Sequence, residues 1–540
     1  MAIALWSLKD KKILIVDDLA EMRSSLRNML TQFDANNISM ASTGEEAIEQ
    51  IAHNNFDIIL CDYNLGDGKD GQQVLEEAKL RGKLPYSTVF IMITAESSSF
   101  MVMGALEHQP DDYLSKPFSR NVLKSRLEKL LNKKAGLAKL SIALQQNNKT
   151  LAINLCNEGI NEYPSNRNEL LKIKTDLLIS ELRYDEAKEI CDAVIAERSL
   201  PWARLCNGKL HYMQQQYESA QQYFEEIIND TPTFVSAYDW LAKAQLKLGD
   251  SAAAQKTIEA AIEQSAKSVT RQRMLAETSE SNQDFVTAEK ARRRSIRTAK
   301  NSVLSEATDY TKLAEALIKN DNPKEALKAI ELAKHEFRGD EQAQIAATLS
   351  KSKIFKEMGR EKESLALIDE VTAMAKNATT PIKDSLAIEL TETFLANGNT
   401  DAAQQIVEKL VSNNHDNQEL LDKVNQIYSA SESGQDSSEL VASVSNDITA
   451  INNKGVELLE AGNIDAAITL FDQALARGPN NQVININSAQ AYLMKIKACG
   501  KDDELLKKTR QCLEKTAHNK ELQLRYKTLN AAYWKFANNK

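Results

Sequence analysis

Five short apolar runs, each closed by a polar or charged residue, govern what the first quarter of this chain can fold into. Ile13-Leu14-Ile15-Val16 stops at Asp17-Asp18. Ile38–Ala41 stops at Ser42. Ile58-Ile59-Leu60-Cys61 stops at Asp62, Val89–Ile93 at Thr94, and Tyr113-Leu114-Ser115 at Lys116. Between the runs, apolar residues fall at helical spacing: Met22, Leu26, Met29, Leu30 and Phe33; Ala47, Ile48 and Ile51; Val74, Leu75 and Ala78; and Leu123, Leu127 and Leu130. A short helix is expected over 100–106. Apolar runs without alternation are strands buried on both faces, and strand–helix alternation wraps them into a doubly wound, five-stranded parallel α/β sheet.

The strand ends carry the chemistry. In such a sheet the C-terminal ends of the strands share one edge, which gathers Asp17, Asp18, Asp62, Thr94 and Lys116. Any one of these residues alone reads as a helix cap or a loop residue; five together, each after its own strand, read as a site. Clustered carboxylates repel unless a cation lies between them, and a hard dication with oxygen ligands, Mg²⁺ above all, suits them. Its ligands would be Asp62, Asp17 or Asp18, and a backbone carbonyl, that of Asn64. Such an ion neutralises an incoming phosphoryl group so that a carboxylate can attack phosphorus. The Thr94 hydroxyl and Lys116 ammonium can then hold the phosphoryl oxygens.

These motifs, together with Leu60-Cys61-Asp62-Tyr63, Met92-Ile93-Thr94-Ala95 and Tyr113-Leu114-Ser115-Lys116-Pro117-Phe118, resemble the receiver domain of two-component response regulators, a flavodoxin-like fold, over about residues 9–133. The resemblance implies that Asp62 is phosphorylated by a histidine kinase or phosphotransfer protein. It implies that Asp17 and Asp18 bind Mg²⁺, that Thr94 and Lys116 contact the phosphoryl group, and that the receiver assists its own phosphorylation and dephosphorylation. Thr94 and Tyr113 would act together as a switch, and Lys116-Pro117 would be a cis peptide. The loop Leu65–Gly71 departs from the common form: it lacks a proline after Leu65 and carries three glycines.

From about Leu137 the period is helical throughout, and a unit of about 34 residues recurs. Its clearest copy carries Gly455, Leu458, Gly462, Ala467, Phe471, Ala474 and Pro479. The same grammar appears as Gly208, Tyr217, Ala220, Phe224 and Ile227, and as Leu241, Ala242, Gly249, Ala254, Ile258 and Ala261. Two antiparallel helices per unit, with small residues where they cross, cannot bury their faces alone, so copies stack into an all-α superhelical solenoid. The pattern resembles the tetratricopeptide repeat (TPR), with roughly nine or ten copies expected. The resemblance implies a groove for a peptide or helix of another protein rather than catalysis.

The expected organisation is a receiver over 9–133, a central array over 137–428, a flexible linker over 429–447, two C-terminal repeats over 448–520 and a capping helix with tail over 521–540. The linker expectation rests on serine and acid with little to bury. The receiver's last helix is expected to run nearly unbroken into the first repeat, past Gly136. Net charge of −9 argues against bulk nucleic-acid binding. Six scattered cysteines with no CxxC pair fit a reducing cytoplasm, and no apolar run reaches membrane-spanning length. No pattern fixes an oligomeric state. The expected function is a phosphorylation-controlled adaptor and not an enzyme. Alternatives are a phosphoryl sink or scaffold in a phosphorelay, and an adaptor that binds RNA or an acidic partner through Arg292-Arg293-Arg294, whose helix is expected to present a solvated basic face.

Overall fold

A computed structural model describes residues 7–95, 110–146, 148–431, 437–517, 519 and 521–538. The chain divides into two compact units, 1–321 and 322–540. The first holds a five-stranded sheet and the helices that follow it; the second is helical.

The strands are β1 (Lys12–Val16), β2 (Asn37–Ala41), β3 (Ile58–Asp62), β4 (Val89–Thr94) and β5 (Asp112–Ser115). All pair in parallel, in the order β2-β1-β3-β4-β5. Side chains alternate across a strand, and that alternation assigns each face its cover. Ile13, Ile15, Leu60, Ile91 and Ile93 pack with Leu26 and Leu30 of helix Ala20–Thr31 and with Leu123, Leu127 and Leu130 of helix Arg120–Ala135. Leu14, Val16, Ile59, Cys61, Phe90 and Met92 pack on the other face with Ala47, Ile48 and Ile51 of helix Gly44–His53 and with Val74, Leu75 and Ala78 of helix Gly71–Leu80. Thr43 caps the former through the Glu46 N–H, and Asp70 and Gln73 close a reciprocal capping box on the latter. The helix expected over 100–106 lies outside the described residues.

The remainder is helical in pairs. The repeat grammar has a steric cause. A Cβ on Gly208 would lie 2.4 Å from Phe224 Cε1, and one on Gly455 would lie 2.7 Å from Phe471 Cε1. Each glycine on a first helix therefore makes room for a fully buried phenylalanine on the second. Phe224 in turn packs with Leu205, Ile227, Ala237 and Leu241, so the ring joins one repeat to the next.

Three expectations need correction, the first only in extent. The interruption between the receiver's last helix and the first repeat falls at Gly136 but takes in Leu137 as well: helix Arg120–Ala135 ends before Gly136, and a separate helix, Ala138–Gln145, follows. A Cβ at Gly136 would lie 2.7 Å from Asn166 Nδ2, so the break sits in a close approach. The linker over 429–447 is largely helical over its described residues. Helix Gln418–Ala430 runs into it and helix Ser438–Glu460 begins within it. The apolar residues scattered among its serines suffice: Val441 is buried, and Leu440 and Val444 pack beside it on a core holding Leu421, Val424 and Tyr428. Downstream, Asn481 Nδ2 donates to the Ser412 carbonyl at 2.9 Å, and the Asn480 N–H to Asn413 Oδ1 at 2.8 Å. The last repeats thus pack directly on helix Thr400–Asn413.

Arg292 is the third correction. It is 3% exposed, and its guanidinium reaches Glu280 at 3.2 Å. It occupies a core position of helix Phe285–Ala299 as an internal ion pair, while Arg293 and Arg294 lie outside. The basic run is split between interior and surface because successive helical residues point about 100° apart.

The Phe224 ring is the sharpest test of this packing. Replacing a fully buried phenylalanine by alanine costs about 3–5 kcal/mol. Phe224→Ala is therefore expected to speed hydrogen exchange strongly in residues 201–247, measured by mass spectrometry on the full chain. Unchanged exchange there would contradict the packing account.

Candidate functional site

The sheet places the expected residues as its topology requires. Asp17 follows β1, Asp62 ends β3, Thr94 ends β4, and Lys116 follows β5. The registers Val16↔Cys61, Asp62↔Ile93 and Thr94↔Ser115 align these ends along one edge. Asp17, Asp62 and Thr94 are buried and Asp18 is exposed. One carboxylate oxygen from each of Asp17, Asp18 and Asp62 lies within 4.8 Å of the others.

Lys116 holds the centre. Its ammonium donates to Asp17 Oδ2 and to Asp62 Oδ2, each at 2.9 Å. The preceding carbonyl groups fix its position: the Lys116 N–H donates to the Thr94 carbonyl at 2.7 Å, and the Lys116-Pro117 peptide is cis, as expected. The other oxygen of Asp62 accepts the Tyr63 N–H at 3.0 Å. Asp17 Oδ1 accepts the Leu19 N–H at 2.9 Å.

Burial raises the Asp62 carboxyl above its ordinary range; the Lys116 hydrogen bond and charge oppose the rise, and the Asp17 charge adds to it. Burial also acts to lower Lys116, but its two carboxylate partners outweigh that and hold it above its ordinary value. The ammonium is therefore charged at neutral pH, and desolvation opposes the charged form of Asp62. Cys61, next to it, is fully buried, and burial followed by the Asp62 charge pushes its thiol well up. It remains a protonated core residue rather than a second nucleophile.

The donor set fits a hard dication. All the candidate ligands are oxygens, and the Asn64 carbonyl accepts no hydrogen bond among the described residues. Tyr113 of the expected switch packs beside Phe90 and Met92. Its hydroxyl is buried without a hydrogen-bond partner among the described residues, and burial pushes the phenol well above its ordinary range.

Two features were not anticipated. The Arg23 guanidinium donates to the carbonyls of Asp17 at 2.6 Å and Asp18 at 2.9 Å, clamping the backbone that carries both acids. Nothing in a lone arginine one helical turn on marks it for this. Gly71 is the other: a Cβ there would lie 2.2 Å from the Asp62 carbonyl oxygen, so the returning helix can pass the end of β3 only with glycine. Its place in a three-glycine loop was the available signal. The reading of the Arg292 helix as a nucleic-acid or acidic-partner surface loses its central residue to the internal ion pair with Glu280.

Comparison with known proteins finds likenesses over both parts of the chain. Residues 13–128 match the model of the response regulator receiver domain, and residues 211–277 and 452–495 match models of the tetratricopeptide repeat. Over 125 residues the chain is 32% identical to the chemotaxis protein CheY of Pseudomonas aeruginosa, which spans 23% of this chain and 99% of that relative. It is also 32% identical over 125 residues to the chemotaxis protein CheY-3 of Vibrio cholerae, spanning 23% of this chain and 95% of that one. A solved CheY-like response regulator receiver domain protein from Methanospirillum hungatei JF-1 is 28% identical, with a TM-score of 0.21, covering 23% of this chain and 96% of its own.

The raised Asp62 carboxyl carries a signed prediction. Folding favours its protonated form, so its contribution to stability is present below the unfolded value of about 3.9 and is lost as pH rises through the higher folded value. Above that, the charge at 62 opposes folding. Asp62→Asn is therefore expected to raise the thermal midpoint of the receiver at pH 7 in a chelating buffer, with the gain shrinking as pH falls towards 4. Calorimetry showing a lower midpoint at pH 7 would contradict this.

Proposed function

The chain belongs to the response-regulator family, with a CheY-like receiver at its N-terminus and tetratricopeptide repeats behind it, and from that premise we propose that Asp62 is its phosphoacceptor and the repeat array its output. The observation that carries the reading is the Lys116 ammonium held at 2.9 Å from both Asp17 and Asp62. The cation thus lies beside two buried carboxylates, with the exposed Asp18 a third acid at the same edge.

The donor is a phosphohistidine of a histidine kinase or phosphotransfer protein. An Asp62 carboxylate oxygen attacks phosphorus and forms the new P–O bond. The P–N bond to the donor imidazole breaks, and its electron pair returns to the nitrogen, which takes a proton from water. Bound Mg²⁺ would be held by Asp17, Asp18, Asp62 and the Asn64 carbonyl, and would neutralise charge on the phosphoryl oxygens. Lys116 gives up part of its pairing with the carboxylates to meet the new dianion, and the Thr94 hydroxyl donates to a phosphoryl oxygen. The Arg23 clamp keeps the Asp17-Asp18 backbone in place throughout. Tyr113 packs under this edge on β5 and follows Thr94 as the switch.

The array then presents protein-binding surface that depends on the state of Asp62, by adding charge and acceptor oxygens at one point and biasing a packed element beside it. The setting we infer is cytoplasmic, since phosphohistidine donors of this kind act there; no helix among the described residues is long and apolar enough to cross a membrane.

The test is transfer of labelled phosphate from acetyl phosphate or from a phosphorylated histidine phosphotransfer protein to the full chain. Incorporation is expected with Mg²⁺ and not with a chelator. Asp62→Asn should abolish it, and Lys116→Met should slow it on the order of 10²-fold, as loss of one charge-stabilising donor does. Undiminished labelling of Asp62→Asn would overturn the assignment.

A further inference from the structure

The receiver does not merely precede the repeats; it docks on them beside its own site. The loop that leaves β3 runs from Tyr63 to Asp70 and opens helix Gly71–Leu80. Its first residue touches the array: the Tyr63 hydroxyl accepts from Lys267 Nζ at 2.8 Å, and the same ammonium lies 5.1 Å from the ring centroid. Lys267 sits in the turn between helices Ser251–Gln264 and Val269–Ser281.

Further along, the loop meets the end of helix Phe285–Ala299. Asn301 Nδ2 donates to the Gly68 carbonyl at 3.0 Å, and Lys69 Nζ donates to the Asn301 carbonyl. Gln73 Nε2 donates to the carbonyls of Lys300 at 3.0 Å and Thr298 at 3.4 Å. Carbonyls at a helix C-terminus lack partners within their own helix, and here receiver side chains supply them. The oxygen of the same Gln73 amide accepts the Asp70 N–H at 3.1 Å in the capping box. One side chain therefore closes the loop and fastens it to the repeats.

The dock is wired to the phosphoacceptor by one residue. The Tyr63 N–H donates to Asp62 Oδ1, and the Tyr63 hydroxyl meets Lys267. Both Asp62 oxygens have donors, Tyr63 N–H on one and Lys116 on the other. Whichever oxygen becomes the ester link is a weaker acceptor: either Lys116 loses a partner, or the Tyr63 N–H, which Asp62 shares with the Ile93 carbonyl at 2.8 Å, falls back on that strand bond. A second contact lies far from this loop: the Ser87 N–H donates to Ser141 Oγ at 2.8 Å, and Asn166 Nδ2 to the Lys133 carbonyl at 2.7 Å. That second contact holds the receiver on the array while the first changes.

We propose that the array reads the state of Asp62 through this dock, formed by the 63–73 segment against Lys267 and residues 298–301, and that a phosphoryl group on Asp62 loosens it. The occupant of this array surface is thus the chain's own receiver. The proposal rests on Asp62 being the phosphoacceptor.

The experiment is hydrogen exchange by mass spectrometry on the full chain, with and without beryllofluoride and Mg²⁺. Severalfold faster exchange in 299–305 on adding the mimic is expected. If 63–71 responds while 299–305 is unchanged or slower, the dock is not the readout, and the phosphoacceptor reading stands. If no part of the receiver responds, both fall. Coupling is reciprocal, so a dock loosened by mutation must favour the mimic. Lys267→Met with Asn301→Ala, both outside the receiver, should tighten beryllofluoride binding by about 5-fold, the low end of usual allosteric coupling. Unchanged affinity in a double variant with wild-type circular dichroism would overturn the proposal.

Discussion

The Lys116 ammonium between Asp17 and Asp62 is the interaction on which the rest of this molecule turns. Two carboxylates brought within a few ångströms in a low-dielectric setting repel strongly. The lysine, 2.9 Å from each, offsets that repulsion. The lysine is available because it follows β5, which lies beside β4. The result is an arrangement balanced on one cation. Burial keeps Asp62 under a desolvation penalty, and any incoming group that supplies positive charge, or redistributes the negative, must move the lysine.

A balance of that kind is useful only if something stiff surrounds it. The receiver core supplies stiffness through the alternate faces of its strands, which share no side chains and are covered by different helices. The repeats supply it by steric fit. Gly208 and Gly455 admit Phe224 and Phe471, and the phenylalanine then bridges to the following repeat. Interiors packed in this way respond to local change by moving as bodies rather than by deforming smoothly. The polar contacts between the 63–73 segment and the repeats are of a softer kind. A few hydrogen bonds through side-chain amides and one lysine can exchange for water at small net cost, which is what a contact that must open requires.

The strand ends were legible in the sequence because each apolar run is short, sharply terminated and followed by a helical period. Asp17, Asp18, Asp62, Thr94 and Lys116 needed no structural information beyond the rule that parallel strands share an edge. The repeat register was legible where glycine and phenylalanine stand at a fixed spacing. It failed around Arg292, where an arginine fills an apolar position because Glu280 reaches it from the neighbouring helix. A partner from another element cannot be read from local pattern. Residues 438–447 misled for the opposite reason. Serine and acid dominate their composition, yet Leu440, Val441 and Val444 are enough to seat a helix against Leu421 and Tyr428. Gly71 and Arg23 serve the site through backbone proximity, and the contacts of Lys267 and Asn301 with the receiver join residues more than two hundred positions apart. Those pairings are long-range tertiary contacts, which no local spacing in the sequence records.

Everything proposed here depends on the carboxylate at position 62 being the group that takes the phosphoryl. Borohydride reduces an acyl phosphate and leaves homoserine in place of the aspartate. Phosphorylated full-length protein, reduced in this way and mapped by tandem mass spectrometry, should carry the conversion at Asp62 and at no other acid. Conversion at Asp17, Asp18, Asp67 or Asp70 in its stead, or no conversion in protein shown to carry label, would contradict the account.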